Sequence, residues 1–298
     1  MNNGIKEQFA SELESATGIL RDRGKSAGNQ LVVETTIPDE LVVVGDLHGD
    51  LGSLEKILSI INYEKFLCDP KTKIVFLGDY VDRGKNSVRV LFRLVTLQLQ
   101  HPDSMILMRG NHEAPDLFPF KSHTLATDLK ASGLEDEIYQ KLLTYFGLLP
   151  LTTLVRDRLV LVHGGVPISL PVRSKDPGET IIQAAKEDPR FVEQILWNDP
   201  RDQLSEPGAY WEKSRRSYGF HYGETITEGW LQLLGVRVLI RGHEPCRGFK
   251  IMHKDKVLTL FSCKESYPNF EAAFIHIKKE GIESLKKASD LVEYVHMI

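Results

Sequence analysis

Short apolar runs alternate along this chain with longer stretches whose apolar residues recur at helical spacing. Three such runs, at 41–44, 73–77 and 104–108, have the length of buried strands. Helical patterns at about 53–66 and 87–100 separate them. Crossover helices make the strands that they join parallel, so the carboxyl ends of these strands lie at one edge of a sheet. The pattern therefore predicts an α/β fold with a site at that edge.

The flanking regions carry further elements. A helix is predicted at 5–24, and helical patterns recur at 124–147 and 180–196, with a loop at 166–180. Strands are predicted at 31–34, 159–162, 236–240, 257–261 and 274–277, and a hairpin turn at 278–281 leads into a last strand at 282–285. The amphipathic end, 288–298, is expected to pack on the body. We interpret 1–298 as a single catalytic domain, with a helical segment at about 1–30 and a core at about 31–298.

Composition narrows the class of protein. Apolar residues make up 42% of the chain and charged residues 26%, which is typical of a globular protein. The net charge of −4 disfavours nucleic acid as the main partner. The three cysteines form no CxxC pair, the start has no signal-peptide pattern, and no apolar run reaches the ~20 residues of a membrane span. We therefore expect a cytoplasmic protein without a membrane partner.

Side chains that bind metals follow five of the predicted strands. Asp46, Asp79 and Asn111 recur at intervals close to the ~30 residues of one βαβ unit. Any one of these motifs alone is weak evidence, but five at strand ends predict a two-metal site. Oxygen and imidazole donors without a thiolate favour manganese, iron or zinc over calcium. The predicted ligands are Asp46, His48, Asp79, Asn111, His163 and His243.

The same motifs contain candidates for catalysis and for phosphate binding. Two metals can lower the pKa of a shared water, and His112, paired with Asp82, is a reasonable general acid for the leaving group. The alternative for this pair is a hydrogen bond that only stabilises a loop. Phosphate recognition favours forked donors, for which Arg83 and Arg216 are the candidates, although the adjacent Arg215 leaves that choice open. Arg109 and Arg241 precede ligands and are interpreted as structural.

Three of these motifs resemble the signature motifs of the phosphoprotein phosphatase family of serine/threonine phosphatases. They are the segments at 45–49, 78–84 and 109–113, and the segments around His163, at 196–200 and at 241–243 match later landmarks. The resemblance implies a calcineurin-like metallophosphoesterase β-sandwich flanked by helices. It implies one metal on Asp46, His48 and Asp79, and the other on Asp79, Asn111, His163 and His243.

The resemblance also implies site roles and a function. It places Arg83, Arg216 and Asn111 on the phosphate, with Tyr267 of the late loop as a further match, and pairs His112 with Asp82. The expected activity is hydrolysis of phosphoserine and phosphothreonine in proteins, with two divalent ions as cofactors and regulatory subunits as possible partners. Hydrolysis of dinucleoside polyphosphates, or a non-catalytic scaffold, are the alternatives.

Overall fold

Two β-sheets face each other at the centre of the computed structural model, which describes residues 3–27, 31–134 and 136–298. Parts of two predicted segments, residues 1–2 and 28–30 of the N-terminal segment and residue 135 of the 124–147 helix, lie outside the described residues. The larger sheet has the strand order β1-β5-β6-β10-β12-β11, and the second has the order β14-β13-β2-β3-β4. A small third sheet has the order β7-β9-β8.

The strands are β1 Val32–Thr35, β2 Glu40–Val44, β3 Thr72–Phe76, β4 Met105–Leu107, β5 Thr152–Val155, β6 Leu159–Val162, β7 Asp199–Pro200, β8 Trp211–Lys213, β9 Phe220–Tyr222, β10 Val238–Arg241, β11 Phe249–Met252, β12 Val257–Leu260, β13 Ala273–Lys278 and β14 Val295–Met297. Strands β1–β4, β6, β10, β12 and β13 lie within one or two residues of predicted apolar runs, whereas β5, β7, β8, β9, β11 and β14 were not predicted. The predicted parallel pairing of β2, β3 and β4 is found. β6 and β10 are parallel as well, in the larger sheet.

Successive side chains of each strand point to opposite faces of its sheet, and the buried residues form three layers of core. Leu41 and Val43 of β2 face the larger sheet and pack with Leu161 and Ile240. Val42 and Val44 point to the opposite face, where helices cover them. Because both faces of this sheet are buried, β2 is a continuous apolar run. The outer face of the larger sheet packs on a separate cluster of buried residues. The fold is a β-sandwich with helices on both outer faces.

Several predicted helices are divided. The α-helices are α1 Asn3–Ala27, α2 Leu51–Ile60, α3 Tyr63–Leu67, α4 Ser87–Gln100, α5 Leu125–Ala131, α6 Asp136–Gly147, α7 Pro177–Glu187, α8 Phe191–Trp197, α9 Glu224–Leu234 and α10 Lys279–Ser284. Asn62, in the left-handed region with φ 51°, separates α2 from α3. Gly133, with φ 73°, follows α5. No helix in the described ranges is long and apolar enough to cross a membrane.

The predicted hairpin at 278–285 is wrong, because this segment forms α10 instead of a strand. β14 already pairs with the edge of β13 that such a strand would need. A helical turn also lets Ile282 and Leu285 enter the core between the sheets. The 3-10 helix Ala288–Tyr294 follows and buries Ala288 and Leu291 there, so the amphipathic end packs on the body.

Candidate active site

Loops from both sheets meet at one edge of the sandwich. Asp46, Asp79 and Asn111 follow β2, β3 and β4 in the second sheet. His163 and His243 follow β6 and β10 in the larger sheet. Within each sheet these strands are parallel and end at this edge, an arrangement that the spacing predicted for β2, β3 and β4.

The backbone at this edge adopts uncommon conformations. His48, Asp79 and His243 have positive φ values of 45°, 56° and 71°, which cost free energy for residues with a side chain. Gly78, with φ 106°, lies so close to Gly110 that an added Cβ would collide with its backbone. The strained turns aim side chains of neighbouring loops at a common point, and glycine is required where those loops touch.

One group of donors gathers around His48. Its Nδ1 donates to the carbonyl of Val81 at 3.0 Å, which leaves Nε2 facing the carboxylates. Nε2 lies 3.8 Å from Asp46 Oδ2 and 3.7 Å from Asp79 Oδ2. Asp46 Oδ2 is buried and has no hydrogen-bond partner among the described residues. An ionised buried oxygen without a donor is costly, and a cation at this position would remove that cost.

A second group of donors surrounds Asn111. Its Oδ1 lies 2.9 Å from His163 Nε2 and 2.8 Å from His243 Nδ1. His163 Nε2 is also 3.3 Å from Asp79 Oδ1. His163 Nδ1 points away from the site and donates to the carbonyl of Leu77 at 2.9 Å, which orients the ring.

These two groups fit two cations that share Asp79. Ligands that bind one metal at about 2.1 Å lie roughly 3 Å apart, close to the spacing around Asn111. One carboxylate oxygen of Asp79 faces each group of donors. With its oxygen turned inward Asn111 can ligate a cation; with its amide turned over, the NH2 group donates to His163, His243 and Asp79 instead.

The electrostatics also favour positive charge here. Burial and the neighbouring Asp79 raise the pKa of Asp46 to about 6. Burial alone would lower the pKa of His163, but the carboxylates of Asp79 and Asp46 outweigh it and raise that pKa to about 9. Without a metal, the cluster therefore attracts a proton to His163. A divalent cation would satisfy the same carboxylates.

His112 and Asp82 form a buried pair beside these donors. His112 Nδ1 lies 2.6 Å from Asp82 Oδ2, and His112 Nε2 lies 3.9 Å from Asp79 Oδ2. Burial would lower the pKa of His112, but Asp79 and the hydrogen bond with Asp82 outweigh it and raise that pKa. The hydrogen bonds of Asp82 with His112 and His123 similarly overcome burial and lower the pKa of the Asp82 carboxyl.

Of the two arginines predicted to bind phosphate, Arg216 contacts a predicted metal ligand. Its Nη1 is 2.7 Å from His243 Nε2, and its Nε is 3.6 Å from Asp199 Oδ2. Arg215 is exposed. Arg83 is also exposed and lies within hydrogen-bond reach of Ser122 at 3.4 Å. The structure therefore brings Arg216, and not Arg215, against the donor cluster.

Tyr267 lies beside the first donor group. Its ring centroid is 6.0 Å from that of His48 and 5.1 Å from that of Phe261. Burial raises the pKa of its hydroxyl to about 12, so the phenol stays protonated near neutral pH. The predicted late loop thus reaches the site.

Arg241 and Arg109 do not face the donor cluster. Arg241 is fully buried and donates to Asp199 at 2.8 Å and to Glu244 at 2.9 Å. Arg109 donates to the carbonyl of Glu113 at 3.1 Å. Both arginines tie loops together, in agreement with the structural interpretation.

Sequence reasoning missed three residues of the site. Glu113 accepts backbone N–H groups from the Asp79 loop and stands inside a recognised motif, which was a usable signal. Asp50 caps α2 by accepting from Ser53 N at 2.8 Å, and Asp three residues before Ser is a common helix start. His123 belongs to no motif, and only the fold brings it to Asp82.

The profile of the calcineurin-like phosphoesterase family matches residues 40–247, well over half of the chain. The chain belongs to this family. Its matched region contains every predicted metal ligand. The sandwich described above is therefore a calcineurin-like metallophosphoesterase fold, a fold that implies divalent metal ions.

Individual calcineurin-like phosphoesterases agree with the predicted resemblance to protein phosphatases. A probable serine/threonine-protein phosphatase of Encephalitozoon cuniculi is 29% identical over 259 residues, which is 86% of this chain and 53% of that protein. The PP2A-like serine/threonine-protein phosphatase PPG1 of Saccharomyces cerevisiae is 31% identical over 245 residues, 78% of this chain and 63% of that protein. The chain thus spans between half and two thirds of the length of these relatives.

One solved phosphatase structure has the same fold. It is a protein serine/threonine phosphatase from Saccharomyces cerevisiae with similarity to human phosphatase PP5. It superposes with a TM-score of 0.71 at 24% identity, and the match covers 98% of this chain and 89% of that one. The two structures therefore share one architecture along nearly the whole of this chain.

Proposed function

We propose that this calcineurin-like phosphoesterase hydrolyses phosphoserine and phosphothreonine esters in proteins. The observation that carries the proposal is the buried His112–Asp82 pair beside two groups of candidate metal donors. A metal-binding scaffold would need the donors, but it would not need a proton donor next to them.

We propose Asp46, His48 and Asp79 as ligands of one ion, and Asp79, Asn111, His163 and His243 as ligands of the other. When bound, the ions would polarise the phosphoryl oxygens, neutralise developing charge and make a water nucleophilic at neutral pH. We propose manganese as the metal, with iron or zinc as the alternatives. The donor set has no thiolate, and its oxygen and imidazole atoms suit these ions.

The remaining residues bind the phosphate and move the proton. Arg83 and Arg216 offer forked guanidinium donors to the phosphate oxygens, assisted by the amide of Asn111 and the hydroxyl of Tyr267. Because Asp82 can only accept, His112 Nδ1 donates to it, and the proton for the leaving serine or threonine oxygen is carried on Nε2. Asp82 holds the ring in the orientation that this transfer needs.

We further propose the domain organisation, the substrates, the partners and the cellular location of this enzyme. Residues 1–298 form a single catalytic domain, supported by the hydrophobic core that joins both sheets and the C-terminal end. Phosphoproteins are the substrates, and regulatory subunits are partners that direct the enzyme to them. A cytoplasmic location without nucleic-acid or membrane partners is supported by the net charge of −4 and the unpaired cysteines.

Phosphate release from a phosphothreonine peptide tests the proposal. Metal-stripped protein is measured before and after addition of Mn²⁺, with a dinucleoside polyphosphate in parallel and Asp79→Asn as the metal-site control. We expect metal-dependent release from the peptide, little from the dinucleotide, and little from the variant. Strong preference for the dinucleotide would move the substrate to small phosphoesters, and inert metal-loaded protein would leave only a scaffold.

A further inference from the structure

His123 is a largely buried histidine that the proposed reaction does not use. Its Nδ1 lies 2.9 Å from Asp82 Oδ2, the same oxygen that lies 2.6 Å from His112 Nδ1. Its Nε2 lies 3.1 Å from the hydroxyl of Tyr139 on α6. The side chain is 11% exposed. Two histidines therefore share one carboxylate oxygen, and only one of them faces the metal donors.

The hydrogen-bond partners of His123 fix the position of a proton on its ring. The Asp82 carboxylate only accepts hydrogen bonds, so His123 Nδ1 carries a proton and donates it. In the neutral ring, His123 Nε2 accepts from the hydroxyl of Tyr139. The result is a directed chain in which Tyr139 orients His123, and His123 holds Asp82.

The other oxygen of Asp82 is held by the residues that follow. Asp82 Oδ1 accepts from Thr124 N at 2.7 Å and from Leu125 N at 3.0 Å, at the start of α5. Residues 123–125 therefore fix both oxygens of the carboxylate. A carboxylate bonded only to His112 could turn about its last torsion, whereas this one keeps Oδ2 aimed at the His112 ring.

An aromatic ring packs on both histidines. The Phe120 centroid is 4.6 Å from that of His112 and 5.6 Å from that of His123. Phe120 also lies 5.8 Å from Trp197. The packing limits water around the shared carboxylate, which strengthens its hydrogen bonds.

We propose that His123 is a positioning residue, which fixes the Asp82 carboxylate and through it the orientation of His112. The inference rests on the proposed function, in which His112 protonates the leaving oxygen. His123 touches no reacting atom in this arrangement. Its removal should therefore impair proton transfer while the metals and the phosphate-binding arginines stay in place.

Three variants of His123 separate its two hydrogen bonds. In His123→Ala both are lost. The amide nitrogen of His123→Asn stands near the position of Nδ1, so it still donates to Asp82. The longer His123→Gln places its amide near the position of Nε2, next to Tyr139. We expect Asn to restore most of the activity that Ala loses, and Gln to restore little.

Turnover of two kinds of substrate shows whether the lost step is proton transfer. For a phosphothreonine peptide, kcat of His123→Ala should fall about 10- to 100-fold, the usual effect of removing a group that orients a site residue, with KM little changed. The loss should be smaller for an aryl phosphate, whose leaving group needs little protonation. In a His112→Asn background, His123→Ala should cause little further loss of kcat.

A matched control removes another histidine–carboxylate pair. His276 Nε2 lies 2.7 Å from Glu40 Oε2 on the second sheet, away from the site. His276→Ala should leave the ratio of peptide to aryl phosphate turnover unchanged. Two results together would overturn the inference and leave His123 with a structural role only. The first is that His123→Ala lowers kcat equally for the peptide and the aryl phosphate. The second is that it causes the same full loss of kcat in the His112→Asn background.

Proton NMR tests the same contact without metal or substrate. The Nδ1–H protons of His112 and His123, both bonded to a carboxylate, should give slowly exchanging downfield resonances. His123→Ala should remove one and shift the other, whereas an unmoved His112 resonance would refute the proposal. Lack of peptide hydrolysis by the wild type would defeat the proposed function, while the spectrum would still decide the role of His123.

Discussion

The Asp50 carboxylate accepts a hydrogen bond from the backbone N–H of Lys264, with 2.8 Å between Asp50 Oδ2 and Lys264 N. The same oxygen accepts from Glu265 N at 2.8 Å, while Oδ1 caps α2 through Ser53 N. One side chain therefore ties the helix after the first motif to the loop that carries Tyr267. Tyr267, two residues beyond Glu265 in this loop, lies with its ring centroid 6.0 Å from that of His48.

Asp50→Asn should release the loop and keep the helix cap. The amide oxygen still accepts from Ser53 N, but the NH2 group that replaces Oδ2 faces the N–H groups of Lys264 and Glu265. The Ser53 hydroxyl, which donates to Oδ2 at 2.7 Å, can rotate to accept instead. We expect the free energy of unfolding to fall by about 1–2 kcal/mol, the cost of hydrogen bonds to a charged group. Hydrogen exchange should increase at Lys264 and Glu265 and stay unchanged in α2. Protection that is equal in both proteins would show that Asp50 does not hold the loop.

The sequence predicted the parts of the site that lie directly after strands. Each ligand follows an apolar run, and parallel strands of a sandwich end at one edge, so Asp46, Asp79 and Asn111 had to meet. The replacement of the predicted last strand by α10 could not be predicted from such a pattern. It depends on β14 pairing with β13, a long-range contact that no local pattern encodes.

Contacts between loops were also not predicted from the sequence. His123 reaches Asp82 only because residues 114–124 fold back over the site, and this segment has no periodic pattern. The choice between Arg215 and Arg216 was open for the same reason. Adjacent residues of a loop point in different directions, and only the fold places Arg216 against His243.

Glu113→Gln should destabilise the loop that carries Asp79. Glu113 Oε2 accepts from Asp79 N at 2.8 Å and Gly110 N at 3.0 Å, and Oε1 accepts from Tyr80 N at 2.9 Å. A glutamine must turn its NH2 group toward at least one of these buried donors. Unfolding in urea should show a loss of about 3 kcal/mol, since an unsatisfied buried group adds to the lost bonds.

The matched control for this variant is an exposed glutamate. Glu228 pairs with Lys256 at 3.1 Å and its side chain is 52% exposed. Exposed ion pairs contribute little, so Glu228→Gln should change the stability by less than about 0.5 kcal/mol. Equal urea midpoints for Glu113→Gln and the wild type would contradict the role of Glu113 as a backbone anchor.

Metal stoichiometry should separate the two groups of donors. His243→Ala removes a ligand of one proposed ion only, so the manganese content should fall from two ions per chain to about one. Asp79→Asn weakens a carboxylate shared by both groups and should lower the affinity for both ions. Metal analysis after dialysis measures this directly. The control is His296→Ala, which changes an exposed histidine and should retain two ions. If His243→Ala also retained two tightly bound ions, the proposed ligand set would be excluded.

Adjacent arginines provide a test of phosphate binding. Both side chains are exposed, and Arg216 contacts His243 at 2.7 Å. Lysine keeps the charge but cannot donate as a planar fork, so Arg216→Lys should lower kcat/KM for a phosphothreonine peptide by on the order of 10²-fold, about 3 kcal/mol of lost transition-state binding. Arg215→Lys should stay within about twofold of the wild type, because the charge is retained and the guanidinium against His243 is that of Arg216. Since the two substitutions are chemically identical and adjacent, similar losses in both would show that the charge of this loop, and not the geometry of Arg216, binds the phosphate.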